Sequence, residues 1–131
     1  MHRRAHLAVS ALLVFIIVVA AAACGTSDSP ELSSQAERGR QVSIQVGCAN
    51  CHGGLDAAAS VGPSWSGSWG TIVELNDGAT VRFDAPYVER SVRNPGEQRR
   101  AGDWLQMPAY GVDQLTDDEI AALAAYIEEM G

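Results

Sequence analysis

Apolar and polar positions alternate differently in three parts of the chain. Leu7 to Ala23 is one mostly apolar run of 17 residues. From Gly25 to about Ser33 the chain is Gly, Ser, Thr, Asp and Pro with little to bury, the composition of a flexible linker. From residue 34 onward apolar residues recur at the periods of packed structure. Ile120, Leu123, Ala124 and Ile127 keep an i, i+3, i+4, i+7 spacing behind Thr116-Asp117-Asp118-Glu119, a capping-box signal, and predict a helix to Glu129. Ser34-Gln35-Ala36-Glu37 repeats that signal and predicts a first helix with Ser34 as N-cap, running to about Val46 and stopped by Gly47. Pro86 to Arg93, with Asp84 as cap, an apolar Val88/Val92 face and Asn94-Pro95 as a stop, predicts another. Residues 71–75 and 79–83 alternate around Asn76-Asp77-Gly78 and predict a short β-hairpin.

The first apolar run follows Met1-His2-Arg3-Arg4-Ala5-His6, so residues 1–23 read as an export signal. Ala21-Ala22-Ala23-Cys24 resembles a bacterial lipobox, which would place a lipid on Cys24, although Ala21 stands where Leu is usual. Two other readings stay open. The small residues could mark an ordinary cleavage site that releases a soluble protein, or the run could remain as a span at the low edge of the roughly 17–25 residues needed. The lipoprotein reading makes residues 24–33 a tether, whose nine residues from Gly25 to Ser33 reach at most ~30 Å. It holds a domain of residues 34–131 at the outer face of the cytoplasmic membrane or in the periplasm.

That domain, of about a hundred residues, buries only about two-thirds of its unfolded surface, so a large cofactor within its core would help it. The 47% hydrophobic and 19% charged residues are ordinary for a globular chain and argue against wholesale disorder. All 9 basic residues are Arg, against 16 acids. Loss of Arg3 and Arg4 with the leader would move the formal charge from −7 to −9. Nucleic acid would be repelled. A basic patch on a protein partner would be attracted, unless the acids are simply a solvated surface.

Of the 3 cysteines, Cys48 and Cys51 stand in Cys48-Ala49-Asn50-Cys51-His52, the C-x-x-C-H signature of haem c attachment. Two thiols three residues apart share one face of a helical turn, where each can add to one vinyl group of a porphyrin. The adjacent imidazole then lies beneath the ring and can bind iron. A thioredoxin-like pair lacks its βαβ context, a zinc site lacks ligands, and a plain disulfide leaves His52 without a role. His52 is the one His beyond the leader, so the sixth ligand is sought among Met107 and Met130. Met130 lies past the last strong helical turn and reads as exposed. Met107 precedes Pro108 in a loop between helices that can lay a thioether across a haem face, or it is core filler. A His/Met pair raises the potential relative to bis-His. Gly62-Pro63 is either a turn or a carbonyl that bonds the second ring nitrogen of His52. Trp65, Trp69 and Trp104 read as core or haem wall, and an indole or one of Arg93, Arg99 and Arg100 could bond the haem propionates.

In this order, Gly39, C-x-x-C-H, Gly62-Pro63, Met107-Pro108 and Tyr126 resemble the class I cytochrome c family from about residue 34 to the end. Gly67-Ser68-Trp69-Gly70, Leu75-Asn76-Asp77-Gly78, residues 87–92, Asn94-Pro95 and Met107-Pro108-Ala109-Tyr110 are most similar to the cytochrome c domain of bacterial oxidase subunit II, without its copper domain. The resemblance implies an all-α fold around one covalent haem c, with the hairpin as an insertion. It implies Pro63 as the partner of His52, Met107 as the second iron ligand, and crossed first and last helices with Gly39 near Tyr126. It also implies an oxidase or a quinol-oxidising complex as redox partner, and a dehydrogenase is the further candidate if the chain is a fixed subunit. An electron carrier, a fixed haem subunit of a larger enzyme, and a haem enzyme or sensor with an open sixth site are the functions to separate.

Overall fold

Ser33, not Ser34, opens the first helix, α1 (Ser34–Gln45), in the computed structural model, which describes residues 31–131, residue 56 excepted. The expected leader and Cys24 lie outside the described residues. The Ser33 hydroxyl accepts from the N–H of Ala36 at 3.1 Å, satisfying a donor the helix start leaves orphaned. With the cap one residue early, Glu37 is too far along to close a capping box, and its carboxylate instead takes Arg40 at 2.8 and 2.9 Å. The folded unit begins at Leu32, so two residues assigned to the tether belong to it; Leu32 packs against the core.

The haem motif is itself a short helix, α2 (Cys48–His52). The hairpin pairs β1 (Ile72–Glu74) with β2 (Thr80–Arg82) antiparallel, Val73 opposite Val81, and Gly78 takes φ +83° in the turn. Asp84 caps α3 (Ala85–Arg93), accepting from the N–H of Tyr87 at 3.1 Å. Thr116 and Glu119 form the complete capping box at the start of α4 (Asp117–Glu129). The described residues thus hold four helices and one two-stranded sheet, and none of the helices is long and apolar enough to cross a membrane.

The stripe on α4 is the centre of the core. Ile120, Leu123, Tyr126 and Ile127 are at most 3% exposed, and each buried aliphatic side chain of this kind contributes roughly 1.5–3 kcal/mol. Helices α1 and α4 cross in direct contact, and α3 packs on α4. Gly39 makes the crossing possible, because a Cβ there would overlap the Ala122 carbonyl. The close approach therefore falls at Ala122 and Leu123, one turn before the Tyr126 that the resemblance implied.

The hairpin is tied into the fold on its far side. Leu75 bridges to Arg100, the N–H of Asn76 donates to the Arg99 carbonyl at 2.9 Å, and that of Ala101 to the Glu74 carbonyl at 2.8 Å. The end of β1 and the residues that follow it are thereby paired, and the segment leading to Met107 is fixed to them.

Candidate haem site

Gly47, at φ +86°, turns the chain out of α1 and into α2, a left-handed conformation that glycine adopts without a Cβ penalty. Within α2, Cys48 is buried, Cys51 half-buried, and both are free thiols. Burial pushes the Cys48 thiol above its ordinary value. After α2 the chain folds back beneath its own last turn. The N–H groups of Ser60 and Gly62 both donate to the Cys51 carbonyl at 3.0 Å, and the Ser60 hydroxyl donates to the Asn50 carbonyl at 2.6 Å. These bonds bring Pro63 to His52, whose Nδ1 lies 2.9 Å from the Pro63 carbonyl. A carbonyl only accepts, so Nδ1 carries the proton and Nε2 keeps its lone pair for a metal.

Two neighbours hold that ring in plane. A Cβ on Gly62 would lie 2.8 Å from Cε1 and Nδ1 of His52, so no side chain but hydrogen fits there. Trp65, 6% exposed, stacks on the imidazole with ring centroids 5.0 Å apart and planes within 2°. Tyr126 stands T-shaped to Trp65 with ring centroids 6.5 Å apart, and the Tyr126 hydroxyl accepts from the N–H of Leu55 at 3.0 Å.

His52, Cys48 and Cys51 line one large cleft, whose walls come from Phe83, Tyr87, Val88 and Val92 around α3, and from Leu123 and Ile127 on α4. The space between these walls, open mouth included, is about 1330 Å³. Met107 lines the same cleft and is half-buried, while Met130 packs half-buried against the core and does not line it. Met130 is therefore neither exposed, as its position suggested, nor a neighbour of His52.

The residues fit a haem. Two free thiols, an imidazole with a fixed tautomer and a thioether converge on apolar walls, and the cleft also holds a buried donor with no partner, Nε of Arg99. An unpaired buried donor of that kind matches a carboxylate edge. Of the three arginines that could have served there, Arg93 is committed elsewhere: its guanidinium donates to the carbonyls of Tyr110 (3.0 Å) and Leu115 (2.7 Å) and pairs with Asp117. Arg100 lines the cleft but is exposed. Among the described residues no group of three or more His, Cys, Asp and Glu is placed to hold a metal ion.

The three tryptophans, all of which read from the sequence as core or haem wall, occupy three different places. Trp65 is the histidine's stacking partner. Trp69 is half-buried against Phe83 at 6.4 Å, and Trp104 stands 78% exposed at the cleft. The stacking has no local signature beyond an aromatic two residues after Pro63. The wall from Tyr87, Val88 and Val92 was visible in part, as the apolar face of α3.

A mostly helical fold in which a C-x-x-C-H helix opens onto an apolar cleft defines a cytochrome c of the class I type. Residues 34–127 match the family model described as cytochrome C oxidase, cbb3-type, subunit III, and the chain belongs to that cytochrome c family. Its cofactor is covalently bound haem c with iron, and its role is electron transfer. No curated protein matches the chain.

Proposed function

We propose that this chain is a membrane-tethered monohaem cytochrome that passes single electrons in a respiratory chain, to or from a haem–copper oxidase or a quinol-oxidising complex. In this reading Cys48 and Cys51 carry the two thioether links, His52 and Met107 are the axial ligands, and Pro63 orients His52. Cys24 carries the lipid, and the domain works on the outer side of the cytoplasmic membrane. When bound, the haem iron supplies a one-electron couple. The chain fixes the tautomer and plane of one ligand, brings a thioether to the same cleft and surrounds both with apolar side chains. The observation that carries the reading is the 2.9 Å approach of His52 Nδ1 to the Pro63 carbonyl beside two free thiols. It leaves Nε2 as a ready iron ligand.

The direct test is Met107→Ala. Loss of the sulfur-to-iron charge-transfer band is expected; an unchanged spectrum would move the reading to a haem protein whose sixth site is not filled by Met107. Intact mass of the mature protein would report the cleavage site, the lipid and the haem together. The acidic balance of the sequence supports steering toward basic partner surfaces, which predicts association rates that fall as ionic strength rises.

A second reading, a fixed haem c subunit of a larger membrane enzyme, is favoured by the oxidase-subunit description of the matched family. Free migration after detergent extraction supports the carrier; obligate co-purification with an oxidase or dehydrogenase supports the subunit.

A further inference from the structure

The His52–Trp65 stack is more than core packing. A centroid separation of 5.0 Å with planes within 2° is an offset stack, in which the indole lays its π-face along the imidazole. Trp65 is held in that position from three sides. Its backbone N–H donates to the His52 carbonyl at 3.4 Å, its backbone carbonyl accepts from the N–H of Ser68 at 3.0 Å, and the Tyr126 ring stands T-shaped to the indole at 89°. A Cβ at Gly62 would lie 2.8 Å from the His52 ring, so the glycine lets the loop pass close beside it. The indole is buried, so its electrostatic field is little screened by water.

We infer that Trp65 is a positioning residue that sets the reduction potential, its electron-rich face stabilising the oxidised state through His52. The inference rests on His52 being the iron ligand. An imidazole bound to ferric iron carries more positive charge than one bound to ferrous iron. The face of an aromatic ring attracts positive charge, and indole does so best. The stack therefore favours the oxidised form and lowers the potential relative to an aliphatic residue at 65. A purely space-filling role has the opposite sign. Shrinking the side chain would let water approach, and water favours the more highly charged ferric site.

The test is the midpoint potential of the holoprotein. With Trp65→Leu we expect the oxidised-to-reduced ratio at a fixed poise to fall about threefold, a rise of about 28 mV at 59 mV per decade for one electron; Trp65→Phe should rise less. Because Trp65→Leu can fail to accumulate, a second arm keeps the packing. Trp65, Trp69 and Trp104 are the 3 tryptophans, so fluorinated tryptophan incorporated into a Trp69→Phe, Trp104→Phe background labels position 65 alone. Fluorination drains the ring face without changing its shape, and it should raise the potential relative to the unlabelled double variant. A potential that stays or falls in the labelled protein overturns the inference. The underlying assignment is tested separately: if His52→Ala keeps the low-spin spectrum of the parent, His52 is not the ligand and the inference goes with it.

Discussion

Arg93 donates to the carbonyls of Tyr110 and Leu115, 17 and 22 residues further along the chain. One half-buried guanidinium at the end of α3 thereby fastens the stretch from Tyr110 to Leu115, between Met107 and the start of α4. The N–H of Tyr110 adds a bond to the Val92 carbonyl at 3.0 Å. These bonds hold the loop on the C-terminal side of Met107, while the hairpin holds residues 99–101 on the other side.

Arg93→Ala should therefore act on the Met107 side of the cleft before the rest of the fold. Hydrogen bonds from a charged donor contribute about 1.5–3 kcal/mol, and the pairing with Asp117, which is 79% exposed, adds little. We expect a loss of about 2–3 kcal/mol in denaturant unfolding. The sulfur-to-iron band should also disappear at a lower temperature than the helical circular dichroism. Simultaneous loss of band and helix at the unchanged wild-type midpoint would contradict the assignment. Arg93→Lys should recover only part, since an ammonium lacks the planar fork that spans two carbonyls and a carboxylate.

Much of this architecture could be read from residue spacing. The stripe on α4, its capping box, the Asp84 cap and the Asp-Gly turn are local signals, and each element lies within a residue or two of its expected bounds. The C-x-x-C-H helix is local as well. What local spacing does not carry is pairing at long range. Nothing around Arg93 distinguishes a loop fastener from a propionate ligand, because the difference lies in carbonyls about twenty residues away. The hairpin reads as an insertion until its pairing with Arg99, Arg100 and Ala101 is seen. The Ser34 cap failed for a simpler reason: two serines stand side by side, and Ser33 has a second partner across the molecule.

Gly62→Ala isolates the steric requirement at His52. Gly62 does not adopt a positive φ, so alanine meets no backbone strain there. Its methyl group would lie 2.8 Å from two ring atoms of His52. The ring must turn, or the loop must move and lengthen the bond to Pro63. Overpacking of this kind costs about 1–3 kcal/mol. The expected outcome is a destabilised holoprotein with altered axial-ligand signals in electron paramagnetic resonance. Wild-type signals and stability together would show that the loop gives way freely.

Ser33 links the beginning of the fold to its end. Its N–H and hydroxyl donate to the Glu129 carboxylate at 2.8 and 2.6 Å, and the same hydroxyl caps α1. These bonds hold the Glu129 carboxyl below the usual range. Bonds from Thr116 do the same for Glu119, and those from Arg40 and Gln41 bring Glu37 to about 2. A carboxyl whose folded value lies below its unfolded value, near 4.3, stabilises the fold fully above that pH and loses its effect as pH falls through the folded value. Between those limits the unfolded chain binds more protons, so stability rises with pH. Glu129→Gln keeps an acceptor for Ser33 but removes the charge. Its melting temperature should therefore decline less steeply than wild type as the pH is lowered from about 5 toward 2. Ser33→Ala also removes the α1 cap, and should cost about 1 kcal/mol even at neutral pH. Parallel melting curves for Glu129→Gln and wild type across that range would mean that the Ser33–Glu129 clasp does not form in solution.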